Sequence, residues 1–557
     1  MYPKITDTKF QKKIATRFSG YKIPKKEDTF ENICFPVKYT LQQPQKFLAA
    51  YLNPNTPYKK VLIYHKIGGG KTCAAISIAE NFKTEKKIYV VLPAFLINGF
   101  RNELRTKCGQ NAYLTDDERQ MLNLNKPTSS QYKAIIAFSN KRIDEYYNIY
   151  SYNKFIRGLE NNTIKLTNCL LVIDEIQNMI SESGIYYETL WKAIRKASKD
   201  LRLVLMSATP IFDKAVELAL IFNLLLDDMQ IPTGDDFYDR YLDIGNTEIT
   251  LKNTDEFKKY IKGYVSYYAG APSYVFPKTT IHIVKCQMSD LQLRMYTYIA
   301  KIEKTNIDWI KSELTNRYYS GTRSCSNFAY PDITHYSKIS DSEFKLGKLG
   351  KYSTKYVKII NHIKKVNGTI FIYSNFRKMG GIQSLARALR LNGYKDYATI
   401  GEGQNRFAIW SAKETSAYKD LVRVIFNSKK NIDGSQIKII LGSPSIREGV
   451  SLLRLSEIHI LEPYWNMSRI EQVMGRGIRF CSHADLPIRE RHVNVYIYIS
   501  IHKSLVESVD QTILNIALRK KILNKKFESM LKEAAIDCEL FSNANISIND
   551  NYKCNDK

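Results

Sequence analysis

The sequence has no apolar run close to the roughly 18 residues that span a membrane. Its first residues, MYPKITDTKFQKKIATRF, lack the apolar core of a secretory signal peptide. Its nine cysteines are scattered, without a C-x-x-C pair or a Cys/His cluster at zinc-binding spacing. These absences argue against a membrane protein and a zinc-finger protein. We expect a soluble intracellular protein with free thiols.

Two further patterns are missing. No internal repeat with a period of roughly 20–50 residues occurs, which argues against a solenoid. No helix-turn-helix or zinc-finger signal occurs either, so the sequence contains no element that reads bases in a groove. Any contact with nucleic acid is therefore expected mainly at the phosphate backbone.

Acidic residues are scarce relative to basic ones. The 557-residue chain has 55 Asp and Glu against 83 Lys and Arg, a net charge of +28. Apolar residues make up 44% of the chain, enough for several buried cores. This balance favours a multidomain globular protein with a polyanionic partner such as nucleic acid.

Short runs of β-branched residues and leucine recur along the chain, with helical stretches between them. In the first half these runs cover residues 61–64, 88–92, 134–138, 170–173 and 203–206. In the second half they cover residues 369–373, 437–441, 458–461 and 493–499. Alternating buried strands and helices predict two α/β lobes, each with a parallel sheet.

The predicted domain boundaries follow this rhythm. They are an N-terminal extension at 1–39, a first lobe at 40–235, a linker or inserted subdomain at 236–345, a second lobe at 346–500 and a helical C-terminal extension at 501–557. The Asn-rich end, SNANISINDNYKCNDK, is expected to be disordered.

A glycine-rich loop, HKIGGGKT, follows the first predicted strand and precedes a helical pattern. This is the context of a phosphate-binding loop, in which backbone N–H groups wrap phosphate oxygens. Lys71 would reach the β- and γ-phosphates of ATP, and the Thr72 hydroxyl would bind Mg²⁺. The glycines of the loop are Gly68, Gly69 and Gly70. His65 stands where the strict pattern has another glycine.

Two acids, Asp174 and Glu175, end the apolar run at 170–173. Asp174 would hold Mg²⁺, and Glu175 would orient the attacking water. The alternative is an acidic cap on a following helix. Taken with the phosphate loop, the pair predicts an ATP hydrolase with ATP and Mg²⁺ as cofactors.

A third motif, Q-x-x-G-R-x-x-R, places Gln472, Arg476 and Arg479 at helical spacing in the second predicted lobe. On one helix, these side chains would share a face that can point at a triphosphate. The alternative is a basic helix face in solvent.

Further stretches complete an ordered set of motifs over residues about 40–480. They are Gln45 in LQQPQKFL, the segment SATP that contains Ser207 and Thr209, and GSPSIREGVS, which contains Ser443, Arg447 and Gly449. The ordered set resembles the helicases of superfamily 2. The resemblance implies an α/β fold of two RecA-like lobes that hydrolyse ATP between them, with an inserted linker subdomain and a helical C-terminal extension. It also implies that Gln45 and Gly449 contact the nucleotide.

The same resemblance implies residues that couple ATP hydrolysis to nucleic acid. Ser207 and Thr209 would relay the nucleotide state, together with Gln177, which stands where many relatives have His. Candidate contacts to nucleic acid lie in loops after strands, although any one could be an ordinary loop. These candidates are Ser374, Asn375, Ser443 and Arg447, with the loops at 93–95 and 151–155.

Two groups of basic residues are interpreted by default as solvated faces. The first group is Lys345, Lys348, Lys351, Lys355, Lys358, Lys364 and Lys365. The second is Arg519, Lys520, Lys521, Lys525 and Lys526, for which a clamp on DNA or on an acidic partner is the alternative.

A narrower resemblance rests on LIYHKIGGGKT, YIKGYVSYYAGAPSYVFPK, CSNFAYP, FIYSNFRKMGGI and KEAAIDCELF. These stretches resemble ATPases of large cytoplasmic DNA viruses: the poxvirus early transcription factor small subunit and nucleoside triphosphatase I group, with asfarvirus and giant-virus relatives. Helicases of yeast cytoplasmic linear plasmids are similar. His65 is itself typical of this group.

This resemblance implies a DNA-dependent ATPase of helicase or translocase type, with DNA favoured over RNA as the track. It would act in viral-type cytoplasmic transcription or replication, in the host cytoplasm, in a virus factory or packaged in the virion, and without a membrane. A viral-type RNA polymerase or a second transcription-factor subunit is the implied protein partner. One alternative is an early transcription initiation subunit, in which ATP switches the engagement of promoter and polymerase. Strand separation and translocation without it both remain open.

Overall fold

A computed structural model describes residues 2–25, 29–37, 40–66, 68–125, 129–180, 184–244, 249–304, 319–331, 339–447, 450–545 and 553–554. The chain divides into two compact units. The first unit comprises Met1–Pro272 and Ile522–Lys557, and the second comprises Ser273–Lys521.

The first unit is built on a parallel sheet of six strands in the order β3-β2-β4-β5-β1-β8. The strands are β1 (Lys60–His65), β2 (Lys87–Leu92), β3 (Tyr147–Ser151), β4 (Cys169–Ile173), β5 (Arg202–Ser207) and β8 (Val265–Tyr268). A separate antiparallel pair consists of β6 (Leu242–Ile244) and β7 (Ile249–Leu251).

Helices of the first unit lie between these strands and at both ends of the chain. They are Phe10–Arg17, Phe30–Cys34, Gln43–Tyr51, Lys71–Glu80, Ile97–Leu104, Asp116–Leu124, Ser130–Asp144, Tyr152–Glu160, Ile185–Lys196, Glu217–Leu225, Gly234–Tyr241, Thr254–Ile261 and Ser542–Asn545. Side chains of β4 and β5 are buried on both faces of the sheet, which accounts for their continuous apolar runs.

The second unit contains a parallel sheet of seven strands in the order β11-β12-β13-β10-β14-β15-β9. The strands are β9 (Lys278–Gln287), β10 (Thr369–Tyr373), β11 (Lys395–Asp396), β12 (Arg406–Trp410), β13 (Ile439–Gly442), β14 (Leu455–Ile460) and β15 (His492–Ile501). Its helices are Asp290–Lys304, Ser320–Asn327, Leu346–Leu349, Thr354–Ile363, Ile382–Arg390, Tyr397–Ile400, Ser416–Phe426 and Met467–Met474. The helix Val509–Glu533 begins in the second unit and ends in the first.

The two parallel α/β sheets confirm the predicted fold class. Strands β8 and β9 both lie within the range 236–345 assigned to a linker, and they belong to the first and second sheets respectively. The last helical segment, 522–533, groups with the first unit. The five predicted domain boundaries stay a prediction.

The predicted strand at 134–138 is wrong, because these residues lie inside the helix Ser130–Asp144. The Ser129 hydroxyl accepts a hydrogen bond from the backbone N–H of Tyr132 and so caps the start of this helix. A five-residue apolar run cannot separate a strand from a buried helix turn by periodicity alone. The strand at this edge of the sheet is β3, which the sequence analysis missed.

The expectation of free thiols is also wrong for several of the cysteines. Disulfide bonds join Cys73 to Cys108 and Cys538 to Cys554. Cys169, Cys286 and Cys325 are free and buried. The fold brings each bonded pair to Cα separations of 5.1 and 5.7 Å, which spacing along the chain did not indicate.

In the part of the chain that the structure describes, no helix is both long and apolar enough to cross a membrane. Most of the Asn-rich end, for which disorder was expected, lies outside the described residues.

Candidate nucleotide site

The glycine-rich loop connects β1 to the helix Lys71–Glu80, as the motif predicts. Gly68 and Gly70 have φ values of 83° and 65°, a region that glycine enters without strain. Lys71 and Thr72 form the first turn of the helix, where N–H groups and the helix dipole favour an anion. The glycines and the helix terminus are thus compatible with the predicted binding of a phosphate group.

The two acids follow β4, which lies two strands from β1 in the sheet. Asp174 is buried, and burial together with the charge of Glu175 raises the pKa of Asp174 to about 7. Glu175 has a left-handed backbone conformation, with φ 50° and ψ 50°. The Lys71 ammonium lies 3.9 Å from a carboxylate oxygen of Glu175.

These residues fit a nucleotide with its magnesium ion. A buried carboxylate with a raised pKa gains from a nearby cation, and Asp174 has such a position beside the phosphate loop. Lys71 provides a positive charge at the same place, and its side chain retains some exposure.

A chain of hydrogen bonds leads from the acid pair to the end of β5. The Gln177 amide donates to the Glu175 carboxylate, and its carbonyl oxygen accepts from the Ser207 hydroxyl at 2.7 Å. The Ser207 oxygen in turn accepts from the backbone N–H of Thr209 at 3.0 Å. The structure thus joins the acid pair to the segment SATP through buried side chains.

Tyr152 supports this arrangement and was not singled out for it by the sequence analysis. Its hydroxyl donates to the backbone oxygens of Asp174 and Glu175, at 2.7 and 3.0 Å. The prediction of a loop at 151–155 is wrong, because Ser151 ends β3 and Tyr152 begins a helix immediately after it. The signal available in the sequence was an aromatic residue after a strand, which is too common to identify a role.

Gln45 lies on the helix Gln43–Tyr51 and approaches the phosphate loop. Its side-chain oxygen accepts from the backbone N–H of Gln42, and its amide lies 3.5 Å from the Gly70 oxygen. A Cβ atom at position 70 would lie 2.1 Å from that amide. The left-handed backbone at Gly70 favours glycine, and any larger residue there would also displace the end of the Gln45 side chain.

His65 ends β1 and contacts a buried polar chain. Its Nε2 lies 2.9 Å from the Ser266 hydroxyl, which donates to the Asp537 carboxylate. Burial raises the pKa of Asp537 to about 7, and burial together with Lys71 lowers the pKa of His65 to about 3. His65 is thereby kept neutral, and its contact with Ser266 has a structural role beside the glycine-rich loop. Ser266 and Asp537 are distant in sequence, and no pattern identified them.

The arginine motif lies in the second unit and differs from its prediction. The helix Met467–Met474 contains Gln472 but ends before Arg476 and Arg479. Gly475 and Gly477 follow it, and low helix propensity favours turns at these positions. A guanidinium nitrogen of Arg476 and one of Arg479 lie 3.5 and 3.4 Å from the Val450 oxygen, so the two side chains still converge.

Ser374 and Ser443, expected at nucleic acid, are buried and hydrogen-bonded internally. The Ser374 hydroxyl donates to Glu462 at 3.0 Å, and that carboxylate also accepts the backbone N–H of Asn375. The Ser443 hydroxyl contacts the Trp410 oxygen at 3.4 Å. Both hydroxyl groups therefore stabilise their own loops through internal hydrogen bonds.

Two predicted residues have no side-chain description. Gly449 lies outside the described residues, and Arg447 is described only as part of the short helical turn Pro444–Arg447. Their expected roles stay predictions.

Lys355 was assigned to a solvated face, and this interpretation is wrong. Its side chain is fully buried, with the ammonium 2.7 Å from Asp510, 2.9 Å from the Asn327 side-chain oxygen and 2.9 Å from the Leu461 oxygen. The Asn327 amide continues the network to Glu462 at 2.7 Å. Helical spacing of lysines cannot show that one of them faces a buried carboxylate.

Comparison with known proteins identifies relatives of the chain. The family model of the SNF2-related domain matches residues 45–330, more than half of the chain. A putative ATP-dependent RNA helicase of Acanthamoeba polyphaga mimivirus is 50% identical over 98% of this chain and 97% of its own length. A termination factor NPH-I homolog of African swine fever virus is 25% identical over 86% of this chain and 76% of its own length.

Among solved structures, the Sulfolobus solfataricus SWI2/SNF2 ATPase core in complex with dsDNA covers 88% of this chain and 93% of its own. It is 15% identical to this chain, with a TM-score of 0.31. The chain belongs to the SNF2-related family of helicase-type ATPases.

Proposed function

We propose that the chain couples ATP hydrolysis in its first unit to movement along nucleic acid, with DNA as the favoured track. The observation that carries the proposal is the hydrogen-bonded chain from Glu175 through Gln177 to Ser207 and the Thr209 backbone. These hydrogen bonds join Glu175, which is proposed to orient the attacking water, to the segment SATP. That segment begins at the end of β5, the strand next to β4 in the sheet.

In this proposal Lys71 neutralises charge on the β- and γ-phosphates, and Glu175 orients the attacking water. Asp174 and Thr72 hold Mg²⁺, which when bound offsets negative charge on the phosphate oxygens. Gly68, Gly69 and Gly70 present backbone N–H groups to the nucleotide. Arg476 and Arg479 are proposed to bring positive charge to the phosphate groups, and Gln472 a neutral amide that can form hydrogen bonds with them.

Gln177 is proposed as the coupling residue. A change in the position of the Glu175 carboxylate alters the hydrogen bond that the Gln177 amide donates. Because the same side chain accepts from Ser207, the change reaches the loop at Thr209 through two bonds. Gln177 and Ser207, the two middle members of this path, are buried, which limits the alternative arrangements of their side chains.

The proposed track is supported by the net charge of +28 and by the viral resemblance. One relative is named an RNA helicase and another a termination factor, so RNA and DNA must both be tested. We propose a role in viral-type cytoplasmic transcription, with an RNA polymerase or a second transcription factor as partner. The alternatives are a role in replication and a role in transcription initiation, in which ATP switches the engagement of promoter and polymerase.

The first experiment measures the ATPase rate of the purified chain alone and with single-stranded DNA, duplex DNA and RNA. An ATPase rate that rises with one of these polymers supports the proposal and identifies the nucleic acid along which the protein moves. Lys71→Ala should abolish turnover, because it removes the charge at the phosphates. Turnover that no nucleic acid alters would contradict the motor proposal while leaving an ATPase.

Gln177→Ala should separate hydrolysis from coupling. We expect ATP binding to persist and the stimulation by nucleic acid to fall at least about 5-fold, the usual scale of a coupling energy. Gln120→Ala, on an exposed helix position of the same unit, is the matched control. Equal stimulation in both variants would remove Gln177 from the coupling path.

A further inference from the structure

Three side chains of metal-ligand type converge in the second unit, and no part of the proposed function uses them. They are His362, Glu457 and His459, whose ligand atoms all lie within 4.8 Å of one another. We propose that these residues form a binding site for a divalent transition-metal ion, with Zn²⁺ as the best match. The proposal does not depend on ATP hydrolysis.

Regular elements hold all three residues in place. Glu457 and His459 alternate along β14, so their side chains share one face of the sheet. His362 lies in the last turn of the helix Thr354–Ile363. Ligands on strands and helices are positioned more accurately than ligands on loops.

The spacing of the donor atoms suits a small ion. The Nε2 atom of His459 lies 2.9 Å from a Glu457 oxygen, and Nε2 of His362 lies 3.0 Å from the same carboxylate. Ligands around a tetrahedral ion with bonds of about 2.0 Å lie about 3.3 Å apart. Both nitrogen–oxygen distances are close to this value, and the two imidazole nitrogens lie within 4.8 Å of each other, so the three ligands could close around one ion.

The ligand chemistry selects the class of metal. Two imidazoles and one carboxylate, with a fourth position open to water, match Zn²⁺ and related first-row ions. Hard ions such as Mg²⁺ prefer oxygen ligands. The His362 side chain is 35% exposed, which leaves an entry path for an ion and its water.

A second layer of residues orients the ligands. The Tyr498 hydroxyl lies 2.9 Å from Nδ1 of His459, so Nε2 of that ring is directed toward Glu457. The Tyr496 ring stacks between His459 and His282, at centroid distances of 5.1 and 4.8 Å. Partners on the second nitrogen of a metal-binding histidine are typical of such sites.

None of the predicted nucleotide residues is among the three ligands, which lie on β14 and on the helix Thr354–Ile363. A bound ion would cross-link the helix Thr354–Ile363 to β14. We infer a structural ion that fixes this helix on the sheet.

The test uses the full chain without nucleotide, after removal of metal with a chelator. Zn²⁺ or Co²⁺ is added, unbound metal is removed, and bound metal is measured by mass spectrometry. Co²⁺ also reports tetrahedral nitrogen and oxygen ligands by its visible absorption. The variants are His362→Gln, Glu457→Gln and His459→Gln. His282→Gln is the control, since His282 stacks on Tyr496 but is not a ligand.

We expect the wild type and His282→Gln each to retain one more metal ion per chain than the three ligand variants. His362 is partly exposed, so His362→Gln should fold even if a buried variant does not. Tyr498→Phe should weaken binding about 10- to 100-fold without removing a ligand. Equal metal content in the wild type and His362→Gln would overturn the proposal, as would a wild-type Co²⁺ spectrum without tetrahedral absorption.

Discussion

At the scale of single residues, the Asp174 carboxylate is expected to lower the stability of the nucleotide-free protein, although it is proposed to hold Mg²⁺ for hydrolysis. Its carboxylate is buried at the end of β4, and the charge of Glu175 lies next to it. In the protein without nucleotide, ionisation of Asp174 therefore costs free energy. The folded-state pKa of about 7 lies above the value of about 3.9 expected for an unfolded chain.

Asp174→Asn should stabilise the nucleotide-free protein at neutral pH while abolishing turnover. Between about pH 4 and pH 7 the folded state holds a proton that the unfolded state has lost. The stability contributed by Asp174 is therefore present below pH 4 and is lost as the pH rises through 7. Asparagine does not titrate, so the difference between variant and wild type should grow across this window.

The measurement is the melting temperature of both proteins from pH 4 to pH 8, in chelator. Each kcal/mol should appear as a shift of about 2–4 °C. Asp239→Asn, at an exposed position of the same unit, is the control. A difference that is constant over the whole pH range would contradict the buried charge at Asp174.

Individual motif residues could be identified from sequence because chemistry limits their type and spacing. The Gly-rich loop and the acids after an apolar run are local patterns, and the fold places Lys71 near Glu175. Ser266 and Asp537 could not be identified, because their hydrogen bond joins residues 271 positions apart. The roles of the motif residues in catalysis stay predictions.

At the scale of elements, the buried Lys355 links the helix Thr354–Ile363 to the helix that starts at Val509. Asp510 on the second helix also accepts the backbone N–H of Ser500 in β15 at 2.8 Å. One ion pair thus connects two helices and a strand of the second unit.

Lys355→Met should destabilise the second unit by about 3–5 kcal/mol, because it leaves the Asp510 charge buried without its cation. Urea unfolding measures the loss. Lys365→Met, at an exposed position of the same lysine run, should change stability by less than about 0.5 kcal/mol. Adding Asp510→Asn to Lys355→Met should restore part of the loss. Equal midpoints for the two lysine variants would show that the buried pair contributes nothing.

Most strands were predicted because a strand buried on both faces has a continuous apolar run. Strand β9 was not, since exposed residues recur along it and hide such a run. The helix before Arg476 was predicted too long, because side-chain spacing does not register the glycines that end it.

At the scale of the whole molecule, the charge of +28 governs association with a polyanion. Affinity for nucleic acid should fall steeply with salt, by about 10³- to 10⁵-fold between 50 and 200 mM if about 6–10 phosphates are contacted. Fluorescence anisotropy with a labelled duplex measures the slope. A flat response would contradict binding through the phosphate backbone.

The two-lobe fold could be predicted because alternating strands and helices leave few architectures. The assignment of the C-terminal segment to the first unit could not be predicted. Residues 522–541 return to the first unit, where Phe541 packs against Phe47 at a centroid distance of 5.7 Å. Nothing local in this segment specifies that destination.

This return has a consequence for synthesis on the ribosome. Domains generally fold as they emerge, beginning at the N-terminus. Here Phe527, Leu531 and Phe541 complete the hydrophobic cores around the first sheet, yet they are translated after the entire second unit. The first unit, which contains the predicted phosphate loop and acid pair, is begun first and finished last. An interrupted chain would therefore release a folded second unit attached to an incomplete first one.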